Sequence, residues 1–486
     1  MISVSFDDGV KIGLQFVLDS LHLCSPYGQE RIGKLRFYAP CEKDALEREL
    51  GNVARCTACA DGLKDVFERT MAVLCQMKDI RQSLRRIRGG ECPDEVELFE
   101  IKSFLLRIGE LRPLLEEIRR LAAVEELAFH DPAPALAVLD PEHTRSRGFF
   151  IPDGATEELG RIRREKKEVE QQLHQAQTAA EQDELRLRRA RICAAEESEE
   201  MKVRRAMGVR IAPLAEDLLS DAETVGALDF LIQKALFAAR FGGVKPELTD
   251  TALELEDMIN PELSELLAEK GRAFVPVSIA LDRGAAVITG ANMGGKSVAL
   301  KTLALNVLLC HAGFLACAKE ARIPLFHCVK MLFDDLQSMQ SGLSGFGSEI
   351  VSFEKALHEV EQGYSLFLLD EFARGTNPDE GAVIVQAVTR YLGGKNAVSV
   401  LTTHYDRVAE YADIHYQIIG LRDVDPSQIR AELSATGQDG VAVIARHMNY
   451  GLYRVEGRAD CPRDALNICR MLSLRQEILE QIEKAY

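Results

Sequence analysis

Val287-Ile-Thr-Gly-Ala-Asn-Met-Gly-Gly-Lys-Ser297 is followed, about seventy residues on, by Leu366-Phe-Leu-Leu-Asp-Glu371. The first stretch contains Gly290-x4-Gly295-Lys296-Ser297, the phosphate-loop pattern G-x-x-x-x-G-K-[ST]. An apolar run, Ala285 to Ile288, reads as the strand feeding the loop, and Ser297 to Leu309 as the helix leaving it. That order gives the pattern its meaning, because backbone N–H groups and a helix N-terminus must converge on phosphate oxygens. In this reading Lys296 reaches the β- and γ-phosphates of ATP, and Ser297 holds Mg²⁺ through its hydroxyl. Leu366 to Leu369 reads as a buried strand ending in two carboxylates. Asp370 is placed to support the Mg²⁺ shell, and Glu371 to orient or deprotonate the attacking water. The two stretches together predict ATP binding and Mg²⁺-dependent hydrolysis to ADP and phosphate.

Composition sets the frame. The chain has 486 residues, 47% of them apolar and 28% charged, enough for two to four domains with cores of their own. Trp is absent and aromatics are sparse, so the cores are expected to be built from Leu, Ile, Val and Ala. Met1-Ile-Ser-Val-Ser-Phe-Asp-Asp lacks the basic start and apolar run of a secretory signal. No apolar stretch approaches the length of a membrane span. Twelve cysteines, irregularly spaced and without a signal, predict reduced thiols and a cytoplasmic location. Cys56-Thr-Ala-Cys59 resembles half of a zinc site or a redox pair, but no second pair completes a four-ligand set. Two small residues in a helix is the simpler reading. The net charge of −17 speaks against a general nucleic-acid binder, which needs a basic face, though it does not exclude a local basic patch.

The chain divides by pattern. Residues 1 to 150 read as a helical core domain, with apolar residues at three- and four-residue spacing over Gly13–Leu23, Cys41–Lys78 and Pro93–Ala128. Arg81, Arg85, Arg86 and Arg88 form a basic cluster before Gly89-Gly90. It could meet phosphates, or simply complement a helix C-terminus. Residues 151 to 250 read as a pair of long arms. Thr156 to about Arg205 carries no Pro or Gly after Gly160 and would span about 75 Å as one helix. Between Glu157 and Arg205 there are 12 basic and 12 acidic side chains, the balance of a solvated, ion-paired helix rather than a nucleic-acid clamp. Leu214 to Phe241 is richer in core residues and is expected to return along the first arm. From 251 onward, helices alternate with short apolar strands, the signature of a layered α/β domain. The fold class expected is therefore α plus α/β.

Three further stretches bear on chemistry. Asp334 to Glu349 is rich in Ser and Gly and precedes a helical run, Ile350 to Val360, which suits an anion site. Arg374-Gly-Thr-Asn-Pro-Asp-Glu-Gly381 is a turn-rich entry to another helix. The strand Ala397 to Leu401 delivers Thr402-Thr-His404-Tyr405, where His404 is suitably placed to sense a γ-phosphate, or to serve as a structural histidine.

In this order the motifs resemble the MutS branch of the ABC-type ATPases. The string T-G-x-N-M-G-G-K-[ST] is far more specific than the general phosphate loop, and the segment Phe274–Tyr405 resembles that family's ATPase domain throughout. Leu300-Lys-Thr-Leu-Ala-Leu305, His311-Ala-Gly-Phe-Leu, Leu343-Ser-Gly-Phe346 and Gly375-Thr-Asn-Pro-Asp-Glu-Gly381 look closest to the bacterial branch outside ordinary mismatch repair. The resemblance implies an ATPase domain over 251–447, a helical closing segment over 448–486, and a head-to-tail dimer, homo- or heteromeric, enclosing two ATP molecules. It further implies nucleotide contacts from Gly290, Asn292, Met293, Gly294, Gly295, Lys296, Ser297 and Val298, with Ser344 acting across the dimer. Phe274 is a candidate adenine contact, or an ordinary core residue. Departures are also legible. There is no room for the family's mismatch-reading domain, and its DNA clamp is reduced to residues around Met201 to Ile211. Gly345 replaces a frequent Thr, Cys461-Pro-Arg-Asp464 is atypical, and a nuclease-type domain is not expected from this sequence.

Two functions fit this sequence. The first is an ATP-driven switch acting on a protein client, similar to the reactivating factors of adenosylcobalamin-dependent lysine and ornithine aminomutases. The second is a DNA repair or recombination protein that binds mismatched or branched DNA.

Overall fold

Every residue of Gly284–Thr289, Ser365–Asp370 and Ala397–Thr402 is buried, as expected of strands covered on both faces. They are the middle of a six-stranded sheet in a computed structural model that describes residues 2, 4–141, 150–290, 295–333, 345–422, 424, 432, 443, 446–456, 469 and 474–485. Helices α1 (Phe6–Ile12), α2 (Leu14–Asp19), α3 (Pro26–Gly33), α4 (Lys43–Ala58), α5 (Ala60–Leu74), α6 (Arg81–Arg88), α7 (Glu95–Ala122) and α8 (Ala133–Leu139) open the chain. Then come α9 (Glu157–Gln175), α10 (Ala179–Ile211) and α11 (Ala215–Phe241). The strands are β1 (Glu247–Thr249), β2 (Leu253–Met258), β3 (Val277–Leu281), β4 (Gly284–Thr289), β5 (Glu320–Pro324), β6 (Cys328–Leu332), β7 (Ser365–Asp370), β8 (Ala397–Thr402), β9 (Ile414–Gly420) and β10 (Asn449–Arg454). Among them lie α12 (Pro261–Glu269), α13 (Lys296–His311), α14 (Gly345–Val360) and α15 (Pro378–Gly393), and α16 (Gln476–Ala485) ends the described chain. Among the described residues no helix is long and apolar enough to cross a membrane.

The fold is mixed helix and sheet, as expected of α plus α/β, and it forms two compact units, each discontinuous in sequence. One comprises residues 1–21, 35–58 and 234–486; the other comprises 22–34 and 59–233. The first holds both sheets. Its larger sheet runs β10-β9-β4-β8-β7-β6, parallel except where β10 meets β9. The smaller runs β1-β5-β2-β3. One face of the larger sheet (Ala285, Val287, Phe367, Leu369, Leu401) packs on Phe353 and Leu357 of α14 and Val385 of α15. The other meets α13, where the run from Leu303 to His311 is buried all round, as a central helix requires. The segment after 447, read as helical, contributes strand β10 to the sheet edge.

α13 ends on His311, which is fully buried. Its Nε2 accepts the Phe326 N–H at 3.2 Å, so its Nδ1 carries the proton and donates to the Tyr38 carbonyl at 2.9 Å. Burial pushes its pKa from 6.5 down to about 4, against the Tyr38 hydrogen bond. The native state therefore binds this proton less readily than the unfolded chain. The stabilisation is complete above pH 6.5 and is lost as the pH falls toward 4, at most about 3 kcal/mol in all. Between pH 7 and pH 5 the wild type should lose about 2 kcal/mol more than a His311→Gln variant. Denaturant titration followed by circular dichroism would read this, and equal losses would mean that His311 is not held neutral.

Among the described residues the second unit holds helices and no strand. Asp229 of α11, buried, accepts the Ser25 N–H and Oγ–H, both at 2.7 Å, and fixes the start of α3. Gly28 is needed there, since a Cβ would fall 2.3 Å from the Asp229 carboxylate. The arm differs from expectation. It is not one helix of fifty residues: α9 ends at Gln175, and α10 folds back along it through Ile162, Val169, Leu185 and Ile192. The break is made by a capping box at Thr178-Ala-Ala-Glu181, a polar stop with neither Pro nor Gly. The returning strand of the hairpin is thus α10, while α11 continues beyond a turn at Ala212–Leu214. Residues Met201–Ile211, read as the remnant of a clamp, lie within α10, and Val203, Met207 and Ile211 are buried. Many of the arm's cations are paired, among them Arg163 with Asp153, Glu196 and Glu200, Arg188 with Glu165, and Arg189 with Glu170. Three of the four arginines of the α6 cluster are paired too, Arg81 with Asp79, Arg86 with Glu91 and Glu97, and Arg88 with Glu216. Cys56 is buried on α4, and Cys59 stands between α4 and α5.

Candidate functional site

β4, β8 and β7 are parallel neighbours, and their registers align Ile288 with Thr402 and Thr402 with Asp370. Ligands of open α/β sheets bind beyond such carboxyl ends. Gly290 leaves β4 with φ 149°, and a Cβ there would meet the Ile418 Cβ at 2.9 Å. Gly295, with φ 93°, sits at the N-cap of α13. Both positions combine a left-handed backbone with close approach, which is why glycine occupies them.

Lys296 is the first residue of α13 and only 4% exposed. Its Nζ donates to the Gly290 carbonyl at 2.8 Å and stands 3.8 Å from Glu371 Oε1. Ser297 Oγ donates to Asp370 Oδ1 at 3.0 Å. The same carboxylate oxygen takes the Thr402 Oγ–H at 2.6 Å, and Thr402 Oγ in turn accepts the Glu371 N–H at 2.9 Å. Glu371 has φ 48°, which turns its side chain off the strand, and its Oε2 accepts from Arg374 at 2.8 Å. His404 lies at the rim, its ring 4.5 Å from that of Tyr405. The surrounding protein lowers the His404 pKa, Glu371 opposes this, and Lys296 and Arg374 add to it, so the ring favours its neutral form.

A cavity of about 610 Å³ opens from Gly295, Lys296, Ser297, Val298 and Glu371. Phe274, Met448, Tyr450, Arg272, Arg446 and leucines of α12 line the rest. Its size suits a small-molecule ligand, and its walls divide into a charged end and an apolar end. The donor set fits a nucleotide with a hard cation: a buried ammonium, a helix N-terminus, and a hydroxyl beside a carboxylate.

These comparisons follow the same segment. Residues 286–470 match MutS domain V. The chain is 35% identical over 242 residues to Endonuclease MutS2 of Thermomicrobium roseum, covering 47% of this chain and 30% of that protein. It is 33% identical over 223 residues to Endonuclease MutS2 of Shouchella clausii, covering 45% and 27%. With Endonuclease MutS2 of Caldanaerobacter subterraneus subsp. tengcongensis it shares 31% over 270 residues, 55% and 31%. The chain thus spans under a third of the length of these relatives.

Of the residues singled out from sequence, Gly290, Gly295, Lys296, Ser297, Asp370 and Glu371 come together beyond the carboxyl ends of the central strands β4 and β7. Val298 and Phe274 line the adjoining cavity, and His404 stands beside them. Asn292, Met293, Gly294 and Ser344 lie outside the described residues. Sequence reading missed Thr402, Arg374 and Tyr450. Thr402 was visible as the strand-end hydroxyl before His404. Tyr450 had no local signal, because β10 brings it to Gly295 from over 150 residues away, where a Gly295 Cβ would meet its ring at 3.0 Å.

Proposed function

We propose that this protein is an ATP-binding and ATP-hydrolysing switch, whose MutS-type ATPase domain over 251–447 closes on a second subunit and moves a macromolecular partner. The observation that carries it is the convergence of Lys296, Ser297, Asp370 and Glu371 at the mouth of a nucleotide-sized cavity. Gly290 and Gly295 leave room for phosphates, Lys296 neutralises them, and Phe274 and Tyr450 take the base. Ser297 and Asp370 would hold Mg²⁺, which supplies charge neutralisation on the β- and γ-phosphates. Glu371 orients the attacking water and receives its proton, and His404 steadies the γ-phosphate end. The second subunit, a copy of this chain or another MutS-like chain, completes the site with Ser344.

For the partner, the ion pairing of many of the cations of α9 and α10 favours a protein client over a DNA backbone, which would need a run of unpaired positive charge. The narrower version, reactivation of an adenosylcobalamin-dependent aminomutase, rests on the sequence resemblance alone. The DNA reading is favoured by the name of the relatives, endonucleases, although under a third of their length is shared.

Titration with a fluorescent ATP analogue tests the nucleotide step. Lys296→Ala should weaken binding about 10- to 100-fold, the worth of its charge-assisted contacts. Equal affinity would remove the assignment. Retention of the ATP-bound wild type on mismatched or four-way DNA, with a steep salt dependence, would favour the DNA reading. Its absence, with dimer formation intact, leaves the protein client.

A further inference from the structure

The loop after β7 is held from both sides at one residue. Ala373 has φ 62°, a left-handed conformation that costs a non-glycine residue energy and persists only where neighbours impose it. Its N–H donates to Glu349 Oε1 at 2.9 Å, and its carbonyl accepts the Tyr405 O–H at 2.9 Å. Glu349 stands in the second turn of α14, and Phe346, one turn earlier, packs against Gly375. Gly381 lies under the Tyr405 hydroxyl so closely that a Cβ would come within 2.4 Å. Glu371, two residues before Ala373, is left-handed as well. Its carboxylate direction therefore depends on where this loop is pinned.

We propose that Glu349 is a positioning residue for Glu371: by holding the Ala373 N–H it ties the set of that carboxylate to the start of α14. The proposal rests on the reading of Glu371 as the water-activating group. Hydrolysis then answers to any displacement of α14, because a shift of Glu349 moves the Ala373 amide and rotates the loop that carries Glu371. Nucleotide affinity depends on it less, since Lys296, Ser297 and every cavity wall other than Glu371 lie on α12, α13, β3, β10 and the segments leading into β3, α13 and β10.

Steady-state ATPase kinetics and ADP titration on the full chain test this. Glu349→Ala should lower kcat about tenfold or more, the worth of a hydrogen bond to a charged acceptor, with KM and ADP affinity within about twofold of wild type. Glu349→Gln, whose amide oxygen accepts the same N–H, should retain most of the wild-type kcat. The proposal is overturned if Glu349→Ala turns over at the wild-type rate, if Glu349→Gln is as deficient as Glu349→Ala, or if KM rises in step with the loss. A wild type that hydrolyses no ATP overturns both this and the parent reading. An active wild type with an insensitive Glu349→Ala overturns only this one.

Discussion

A Glu371→Gln protein should bind ATP about as well as the wild type and hydrolyse it about 10²- to 10⁴-fold more slowly, the range lost with a general base. The substitution preserves volume at a side chain only 14% exposed, and it keeps an oxygen to accept from Arg374. What it removes is the charge and the basicity. Lys296 would keep its carbonyl partner at Gly290, so the phosphate-facing geometry is retained. The protein should therefore accumulate with ATP bound, and the closed dimer should be visible by sedimentation in ATP and Mg²⁺ but not in ADP. Rapid-quench measurement of a single turnover separates the chemical step from product release. Normal turnover in Glu371→Gln would mean that another group activates the water, and His404 would be examined next. His404→Ala, in contrast, should slow hydrolysis less, since that ring is peripheral and favours neutrality.

The site was legible where its chemistry is local in sequence. β4, the phosphate loop and α13 are consecutive, so the strand, Gly290, Gly295, Lys296 and Ser297 could be read from one string. The observed strand and helix differ from that reading by one or two residues at their ends. Asp370 and Glu371 followed from a buried apolar strand ending in carboxylates. Tyr450 and Arg446 were invisible because long-range pairing of β10 with β9, not any motif, brings them to the cavity. The arm failed for a different reason. Periodicity and charge balance run unbroken through 156–205, and only the capping box at Thr178 and Glu181 announces the reversal. A polar cap inside a continuous helical pattern is weak evidence until the facing apolar residues, Val169 and Ile192 among them, are seen to meet. The partition into units escaped as well, since residues 22–34 and 35–58 fall on opposite sides of it although adjacent in sequence.

Lys234→Met should destabilise the sheet-bearing unit by about 2 kcal/mol, the cost of leaving the Ala312 carbonyl without its buried donor and of losing an ion pair to the partly exposed Glu49. Lys234 is 1% exposed. Its Nζ donates to the Ala312 carbonyl at 2.8 Å and to the Glu49 carboxylate, and lies 4.6 Å from the centre of the Phe314 ring. Ala312 is the C-cap of α13, so the ammonium also sits at the negative end of that helix's dipole. Methionine fills a similar volume but donates nothing, and it leaves the Ala312 carbonyl without this cation, while the partly exposed Glu49 keeps the Tyr38 O–H. Gly313 closes the site, because its φ of 74° and a Cβ that would fall 2.7 Å from Glu49 leave no room for rearrangement. Urea unfolding followed by far-ultraviolet circular dichroism is the measurement, since the chain has no Trp to report by fluorescence. A double-mutant cycle with Glu49→Gln separates the pair from the packing: if charge pairing dominates, the double variant should cost clearly less than the two single variants summed. Additive costs would assign the loss to the Ala312 carbonyl and the Phe314 contact instead, and a Lys234→Met protein within about 0.5 kcal/mol of wild type would mean that the ammonium is hydrated rather than buried.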